Sequence, residues 1–406
     1  MLVSDKGASY KTPTPILLAH TYSRQTIPRS LFLHGLAFTR LPQISIANFQ
    51  TPSHSIYSRP TKYPPVAQMA GVFSVVGLIT VSIFLFKITN LVALYLRPSR
   101  LDRYAHESAM GEKPWALVTG SSGGIGLALA YELAASGFNV VLHGRSRERL
   151  LPLTSQLQEA FPERSFRVLV NDAEAVSCVT YLNATSQQQK QLGDSTSTPV
   201  DFAAIKRELE DIHLTVLVNN AGGGPINPTY LPLAESSEAR ITANASLNAL
   251  FPMHLARALL PSLIQHTPSL VINISSMADR GLPLLTSYCA SKAFLMTATR
   301  SLRREMEMEG NGVEVLGVRI GKVTGARGHT DPVSLFVPNA ETAAKAILAR
   351  AGRANGIVVG YWGHAIQQAL ATALSLLPNW VEDKVAISVI RRERSQLGEE
   401  TKAKIT

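Results

Sequence analysis

Residues 115–135 read WALVTGSSGGIGLALAYELAA, and the organisation of the whole chain can be worked out from them. An apolar run, Trp115 to Val118, leads at once into Thr119-Gly-Ser-Ser-Gly-Gly-Ile-Gly126, and a helical pattern follows from Leu127 to Ala135. That is a buried strand, a tight turn and a helix N-terminus in direct succession. Glycines at 120, 124 and 126 allow the turn, a close backbone approach to a pyrophosphate and close helix–strand packing, while the positive end of the helix faces the negative charge. Ser122 and Ile125 share this loop and complete the predicted dinucleotide contacts on it. No Gly-Lys-Ser/Thr follows, so this is not the phosphate loop of a nucleotide hydrolase.

Working outward, five more near-continuous apolar runs appear: NVVLH (139–143), FRVLV (166–170), TVLVN (215–219), LVINIS (270–275) and VEVLGVR (313–319). Runs of this kind, separated by helical stretches, predict an α/β fold with a doubly wound parallel sheet of Rossmann type, six strands in one catalytic domain over 113–330. The polar stretch 183–199 has no hydrophobic period and reads as a surface insertion before a helix at Phe202 to Asp211. Segment 331–390 reads as a helical extension and 391–406 as a charged tail.

The end of the second strand selects the cofactor. A free ribose 2′-hydroxyl would call for Asp or Glu there. The chain instead has His143-Gly-Arg145-Ser146-Arg147. Guanidinium groups suit a 2′-phosphate, so Arg145, Ser146 and Arg147 predict NADP, as NADPH, over NADH. Further on, Tyr288 and Lys292 stand four apart on one helix face. A free phenol titrates near 10, and a neighbouring ammonium favours its ionised form, which lets it exchange a proton with a carbonyl oxygen near neutral pH. The strand ending at Ser275-Ser276 can present a hydroxyl to the same carbonyl.

The set Thr119 to Gly126, Asn219-Asn-Ala-Gly222, Ser275-Ser276 and Tyr288-x-x-x-Lys292, in that order over about 220 residues, resembles the short-chain dehydrogenase/reductase superfamily. The resemblance implies that Tyr288 is the general acid and that Lys292 binds the nicotinamide ribose and lowers the Tyr288 pKa. It implies that Ser276 orients the carbonyl and that Asn248 holds a water relaying protons to Lys292. Asn220, Ala221 and Gly222 lie beside the cofactor, Asp172 meets the adenine, and Val323 follows the sixth strand as a further cofactor contact. The family's usual spacing of thirteen to Tyr288 selects Ser275, whereas its Ile-Ser-Ser pattern selects Ser276; Ser276 is taken here, with a loop one residue shorter. Ile320-Gly321 stands where Pro-Gly is common, and Ala-Gly-Gly-Gly-Pro follows the paired asparagines.

A narrower likeness rests on Pro283-Leu-Leu-Thr-Ser-Tyr-Cys-Ala-Ser-Lys-Ala-Phe-Leu295, on the preceding apolar segment, and on Gly360-Tyr-Trp-Gly-His through Leu376-Leu-Pro-Asn-Trp380. These resemble the microsomal 3-ketoacyl-CoA reductases and their 17β-hydroxysteroid dehydrogenase relatives, which implies ketone reduction with NADPH at the endoplasmic reticulum surface. Residues 364–377 are too short to span a bilayer and are expected to pack on the core, the alternative being that they line the entrance for a lipid-like substrate. Other readings are a reductase of a secondary-metabolite ketone, or a non-catalytic scaffold that retains the fold. The intact set Asn248, Ser276, Tyr288 and Lys292 speaks against the scaffold.

Several classes fall away. The net charge is +10, but residues 1–69 hold seven basic residues and one acid. With no basic run elsewhere, no nucleic-acid partner is expected. Two cysteines, Cys178 and Cys289, exclude a disulfide framework and a cysteine zinc site, so no metal is expected. Residues 1–68, rich in Ser, Thr and Pro, read as a leader or disordered segment, or as sequence upstream of a start at Met69.

Ala70 to Leu96 is predominantly apolar, with Lys87 its one charged residue, and long enough for a transmembrane helix. Arg97, Arg100 and Arg103 just after it favour a cytosolic catalytic domain. Lys402-Ala-Lys404-Ile-Thr406 resembles an endoplasmic reticulum retrieval signal on a cytosolic tail. The expected location is therefore the endoplasmic reticulum membrane, with a mitochondrial membrane as the alternative; sequons at Asn183, Asn244 and Asn273 would matter only in a lumenal domain. The expected partners are a small-molecule ketone and the membrane, and pairing as a homo-oligomer through the helices carrying Asn248 and Tyr288 stays open.

Overall fold

The computed structural model describes residues 66–176, 199–224, 228–326, 329–354 and 356–403. Cys178, Asn183 and nearly all of the expected 183–199 insertion lie outside them, as does Lys404. From Ala70 onward the chain forms one compact unit.

Its centre is a seven-stranded, wholly parallel sheet in the order β3-β2-β1-β4-β5-β6-β7. The strands are β1 Pro114–Val118, β2 Asn139–Gly144, β3 Phe166–Val170, β4 His213–Asn219, β5 Ser269–Ser276, β6 Val313–Ile320 and β7 Ile357–Val359. Six coincide with the apolar runs. The seventh is a correction: the segment expected to be only helical carries β7, three residues after Gly356, and it pairs with Gly317, Val318 and Arg319. Three residues are too few to show a period of their own.

Helices cover both faces. Alternate side chains of β1 enter opposite cores: Ala116 and Val118 join Leu129 and Leu133, while Trp115 and Leu117 join Leu255 and Leu259. This is why the parallel strands read as continuous apolar runs. The first core is closed by α2 (Gly124–Ala135), α3 (Arg147–Ala160) and α8 (Ala340–Leu348), the second by α4 (Phe202–Glu208), α6 (Phe251–Gln265) and α7 (Thr286–Glu309). Each fully buried leucine contributes about 1.5–3 kcal/mol. Helix starts follow their caps: Ser146 accepts from Arg149 N–H, Asp201 from Ala203 and Ala204, and Asn339 from Thr342. α2 begins at Gly124 rather than Leu127, because the glycine-rich turn itself forms the first helical turn. α4 ends at Glu208, three residues short of the expected Asp211.

Two of the sequons are committed to packing. Asn273, inside β5, donates to Thr299 Oγ1 (2.9 Å) and accepts from Asn219, and Asn244 donates to Ser287 Oγ (3.0 Å). Cys289 is a buried free thiol.

Helix α1 (Val66–Leu96) is apolar, with mean hydropathy 2.4, and is exposed from Met69 to Val92, while Ala93, Leu94 and Tyr95 are half-buried. A second helical stretch, Glu238–Gln265, also has the length and composition to cross a membrane, but half of its most apolar window is buried in the domain. It comprises α5 (Glu238–Ala245), a π-helical turn Ser246–Leu250, and α6. The end of α1 is bonded to the catalytic domain. Tyr95 Oη donates to Val359 O (2.7 Å), the Arg350 guanidinium donates to Leu94 O and lies over the Tyr95 ring at 4.6 Å, and Ser99 Oγ donates to Leu348 O (2.7 Å).

After β7 come α9 (Trp362–Leu374) and α10 (Asn379–Ala403). The charged tail thus continues α10 to Ala403. On α9 only Gly363, His364 and Ala365 are buried. Trp362, Ile366 and Leu370, one helical turn apart, are exposed, as are Leu376, Leu377 and Trp380 beyond them. The expectation that 364–377 would pack on the core is therefore corrected, since the core is already closed by α8 and α7.

Candidate active site

A cleft of about 630 Å³ opens at the carboxyl ends of the strands, beside the switch point between the paired strands β1 and β4, where the strand order reverses. One wall is the loop Gly120–Gly126 with the ends of β2 and β3. A Cβ on Gly126 would lie 2.2 Å from Gly120 O, so the loop closes on itself with no room for a side chain. Thr119 ties this loop to the next: its Oγ1 accepts from Asn220 N (2.9 Å) and Ala221 N (2.8 Å), and the Asn220 side chain donates to Thr119 O (2.9 Å). His143, fully enclosed and stacked on Phe251, accepts from Gly120 N–H at 3.4 Å, and burial pushes its imidazole down to about 4. The ring is thus neutral beneath the glycine loop.

Among the predicted cofactor residues, Gly120, Ser122, Gly124, Ile125, Gly126, Arg145, Asp172, Asn220, Ala221, Gly222 and Val323 all line the cleft. Ser146 and Arg147 are not among its lining residues. Ser146 is spent capping α3, and Arg147, the first residue of that helix, is exposed. Arg149, in the same first turn, does line the cleft, and sequence reasoning missed it; counting onward along the basic run into the helix would have found it. Glu174 also escaped notice; its carboxylate lies 3.7 Å from Arg145. The backbone cradle and two guanidinium groups fit a dinucleotide with charged phosphates.

The facing wall carries the chemistry. Ser276 ends β5 and Tyr288 and Lys292 stand on the first turns of α7; all three line the cleft. Lys292 is almost wholly buried and its Nζ donates to Ile274 O at 3.0 Å. Asn248 sits in the π-helical turn, where Oδ1 accepts from Gly223 N (2.9 Å) and Nδ2 donates to Gly223 O (3.2 Å) and Asn244 O (3.1 Å). A Cβ on Gly222 would lie 2.8 Å from both Asn248 Oδ1 and Lys292 Nζ, so these two groups converge on one point of the backbone. A π turn of this kind re-aims a side chain that a regular helix would point elsewhere.

The two serines differ. Ser275 is buried and its hydroxyl donates to Lys292 O (3.3 Å). Ser276 is half-buried, and its Oγ accepts from Ala278 N (3.2 Å), which leaves the hydroxyl proton for an acceptor in the cleft. The turn after it is held by Asp279, whose carboxylate meets Arg319 Nε at 2.6 Å. Leu284, just before α7, has φ of 64°, the left-handed region disfavoured for a leucine.

The far rim is the loop after β6. Gly321, Val323, Gly325, Ala326 and His329 line the cleft there. The buried His364 of α9 accepts from Gly321 N–H at Nδ1 (3.1 Å) and donates from Nε2 to Lys322 O (3.1 Å). Lys322 pairs with Asp331 (2.9 Å) and with Glu393 of α10 (3.2 Å). Among the described residues no group of His, Cys, Asp or Glu side chains is arranged to hold a metal.

Comparison with known proteins agrees with this geometry. The family model described as short chain dehydrogenase matches residues 114–330. The very-long-chain 3-oxoacyl-CoA reductase of Aspergillus terreus is 28% identical over 296 residues, 70% of this chain and 74% of the relative. The enzyme of the same name from Emericella nidulans is 26% identical over 328 residues, 77% and 85% of the two chains. Among solved structures, a 7beta-hydroxysteroid dehydrogenase superposes with a TM-score of 0.54 at 19% identity, covering 68% of this chain and 96% of that one; it shares the fold.

Proposed function

The chain belongs to the short-chain dehydrogenase family of oxidoreductases, and from that premise we propose that it uses NADPH to reduce a ketone on an apolar substrate, with a long-chain 3-ketoacyl-CoA as the first candidate. The observation that carries this reading is the convergence of Ser276, Tyr288 and Lys292 on one cleft, opposite a glycine cradle flanked by Arg145 and Arg149. The names of the curated relatives support the substrate class. The exposed apolar helix α1 supports attachment to a membrane, which we assign to the endoplasmic reticulum with the catalytic domain on the cytosolic side.

When bound, NADPH supplies the hydride that the carbonyl carbon receives. The protein positions the ketone and handles its proton. Ser276 donates a hydrogen bond to the carbonyl oxygen, and the Tyr288 phenol gives that oxygen its proton. The Lys292 ammonium, one helical turn from Tyr288, favours the phenolate left behind. Asn248 holds the Gly222–Gly223 backbone beside Lys292 and stands where a relay would return the proton. Arg145 and Arg149 line the cleft where they would hold the 2′-phosphate that distinguishes NADPH from NADH.

The test is cofactor consumption by the full chain in detergent-solubilised membranes, with NADPH or NADH, on a long-chain 3-ketoacyl-CoA, a 17-ketosteroid and a small diketone. NADPH-dependent turnover of the acyl-CoA is expected, reduced by about 10²–10⁴ in Tyr288→Phe with NADPH binding retained. Turnover of another ketone alone would discard the acyl-CoA assignment. NADPH binding without turnover of any ketone would discard the reductase reading.

A further inference from the structure

We propose that the outward face of α9, continued by the turn into α10, is a second membrane contact that lies on the bilayer surface beside the anchor. This inference rests on the reading of α1 as a membrane span. It names what covers an apolar surface that the catalytic domain leaves in the open: Trp362, Ile366, Leu370, Leu376, Leu377 and Trp380, each 41–85% exposed.

Position selects the occupant. Tyr95, next to the last residue of α1, donates to Val359 O, and Arg350 grips Leu94 O and the Tyr95 ring. The helix that enters the membrane is therefore bonded to the strand that precedes α9 by three residues, a reach of about 10 Å at full extension. At the junction itself Leu91, Val92 and Leu96 of α1 are still exposed, so lipid that covers them reaches the start of α9. The bilayer that takes up α1 is thus within reach of the start of α9.

Chemistry agrees with position. Trp362 begins α9 and Trp380 stands in the first turn of α10, each an amphipathic ring of the kind enriched where one end is apolar and the other wet. The Lys384 ammonium lies over the Trp380 ring at 4.8 Å, placing a cation at the rim of the apolar surface, where headgroup phosphates would be. Arg97, Arg100 and Arg103 provide the same charge beside the anchor. The buried side of α9 presents His364 to the loop that rims the cleft. The helix that carries the apolar face and the loop that rims the cleft are therefore bonded to each other.

The chain has three tryptophans, and the third, Trp115, is buried in β1, so intrinsic fluorescence reads this surface directly. The full chain is reconstituted into vesicles of phosphatidylcholine with one-fifth phosphatidylserine, with or without bromine on the upper acyl carbons, and floated after an alkaline wash. Bromolipid is expected to quench at least half of the emission. That quenching should be absent in the Trp362→Phe/Trp380→Phe double variant and should fall several-fold in Ile366→Asp/Leu370→Asp, whose substituted positions face outward and touch neither core nor cleft. Chain that floats but is quenched by aqueous acrylamide rather than by bromolipid would overturn the proposal, because the face is then in water. Shielding from both quenchers would overturn it in favour of a protein cover, such as a second copy. Chain that does not float would overturn both this contact and the anchor.

Discussion

The glycine wall of the cleft and its far rim are built in opposite ways. The wall of Gly120–Gly126 is made of residues contiguous in sequence, and its shape comes from backbone that permits no Cβ at Gly126. The rim after β6 has no such motif: Gly321 and Lys322 are held by His364, more than forty residues on, and by Glu393, seventy-one residues on. A steric demand on a short stretch leaves a readable signature, whereas a clamp from a distant helix leaves a histidine in an apolar segment with nothing beside it to explain it.

Substitutions should separate the wall from the rim. The largest effect is expected for Gly126→Ala, where the new methyl meets a carbonyl with nowhere to move: NADPH affinity should fall at least a hundredfold, measured by equilibrium binding, with a loss of thermal stability of about 1–3 kcal/mol. Next come Arg145→Glu and Arg149→Glu, which place a carboxylate where the 2′-phosphate would sit. NADPH affinity should drop about 10–100-fold while NADH affinity changes little, and an equal loss for both cofactors would remove these side chains from 2′-phosphate recognition.

On the other rim, His364→Ala removes one acceptor and one donor from the Gly321–Lys322 backbone. At about 1 kcal/mol for each of the two lost bonds, kcat/KM should fall by up to about thirtyfold, and His364→Gln, which can both accept and donate, should recover part of it. A purely structural role would show as a lower melting temperature with unchanged kcat/KM in the surviving fold.

The smallest effect concerns His143 under the glycine wall. Its folded-state pKa of about 4 lies below the unfolded value near 6.5. Between these values the unfolded chain binds a proton that the folded chain does not, so this contribution is complete above pH 6.5 and is lost as pH falls toward 4. From pH 7 to 6 the loss should be under about 1 kcal/mol. It should appear as a downward slope of melting temperature with acid that His143→Gln removes.

Strand runs, the glycine turn, the tyrosine–lysine pair and the apolar helix were legible because each obeys a local rule: burial on both faces, a turn without side chains, a repeat of four, an unbroken apolar length. The role of Ser146 was not, since a serine before a helix can cap or bind and only its bond to Arg149 N–H decides. Arg149 stood in the same basic run, but only the fold shows that its side chain, and not that of Arg147, lines the cleft. The choice between Ser275 and Ser276 was equally hidden. Spacing and pattern disagreed; both serines line the cleft, and they differ in that the Ser275 hydroxyl is bonded to Lys292 O whereas Ser276 Oγ accepts from Ala278 N.

The sequence by itself thus determined the doubly wound sheet, the dinucleotide cradle and the family, because those depend on periodicity and on backbone sterics carried within a few residues. Tertiary structure alone decided that a three-residue strand completes the sheet, that α1 is bonded to that strand's end, and that α9 turns His364 inward and its tryptophan outward. Each is a contact between segments far apart in the chain, and a residue in such a contact is chosen to suit its distant partner, which no local pattern records.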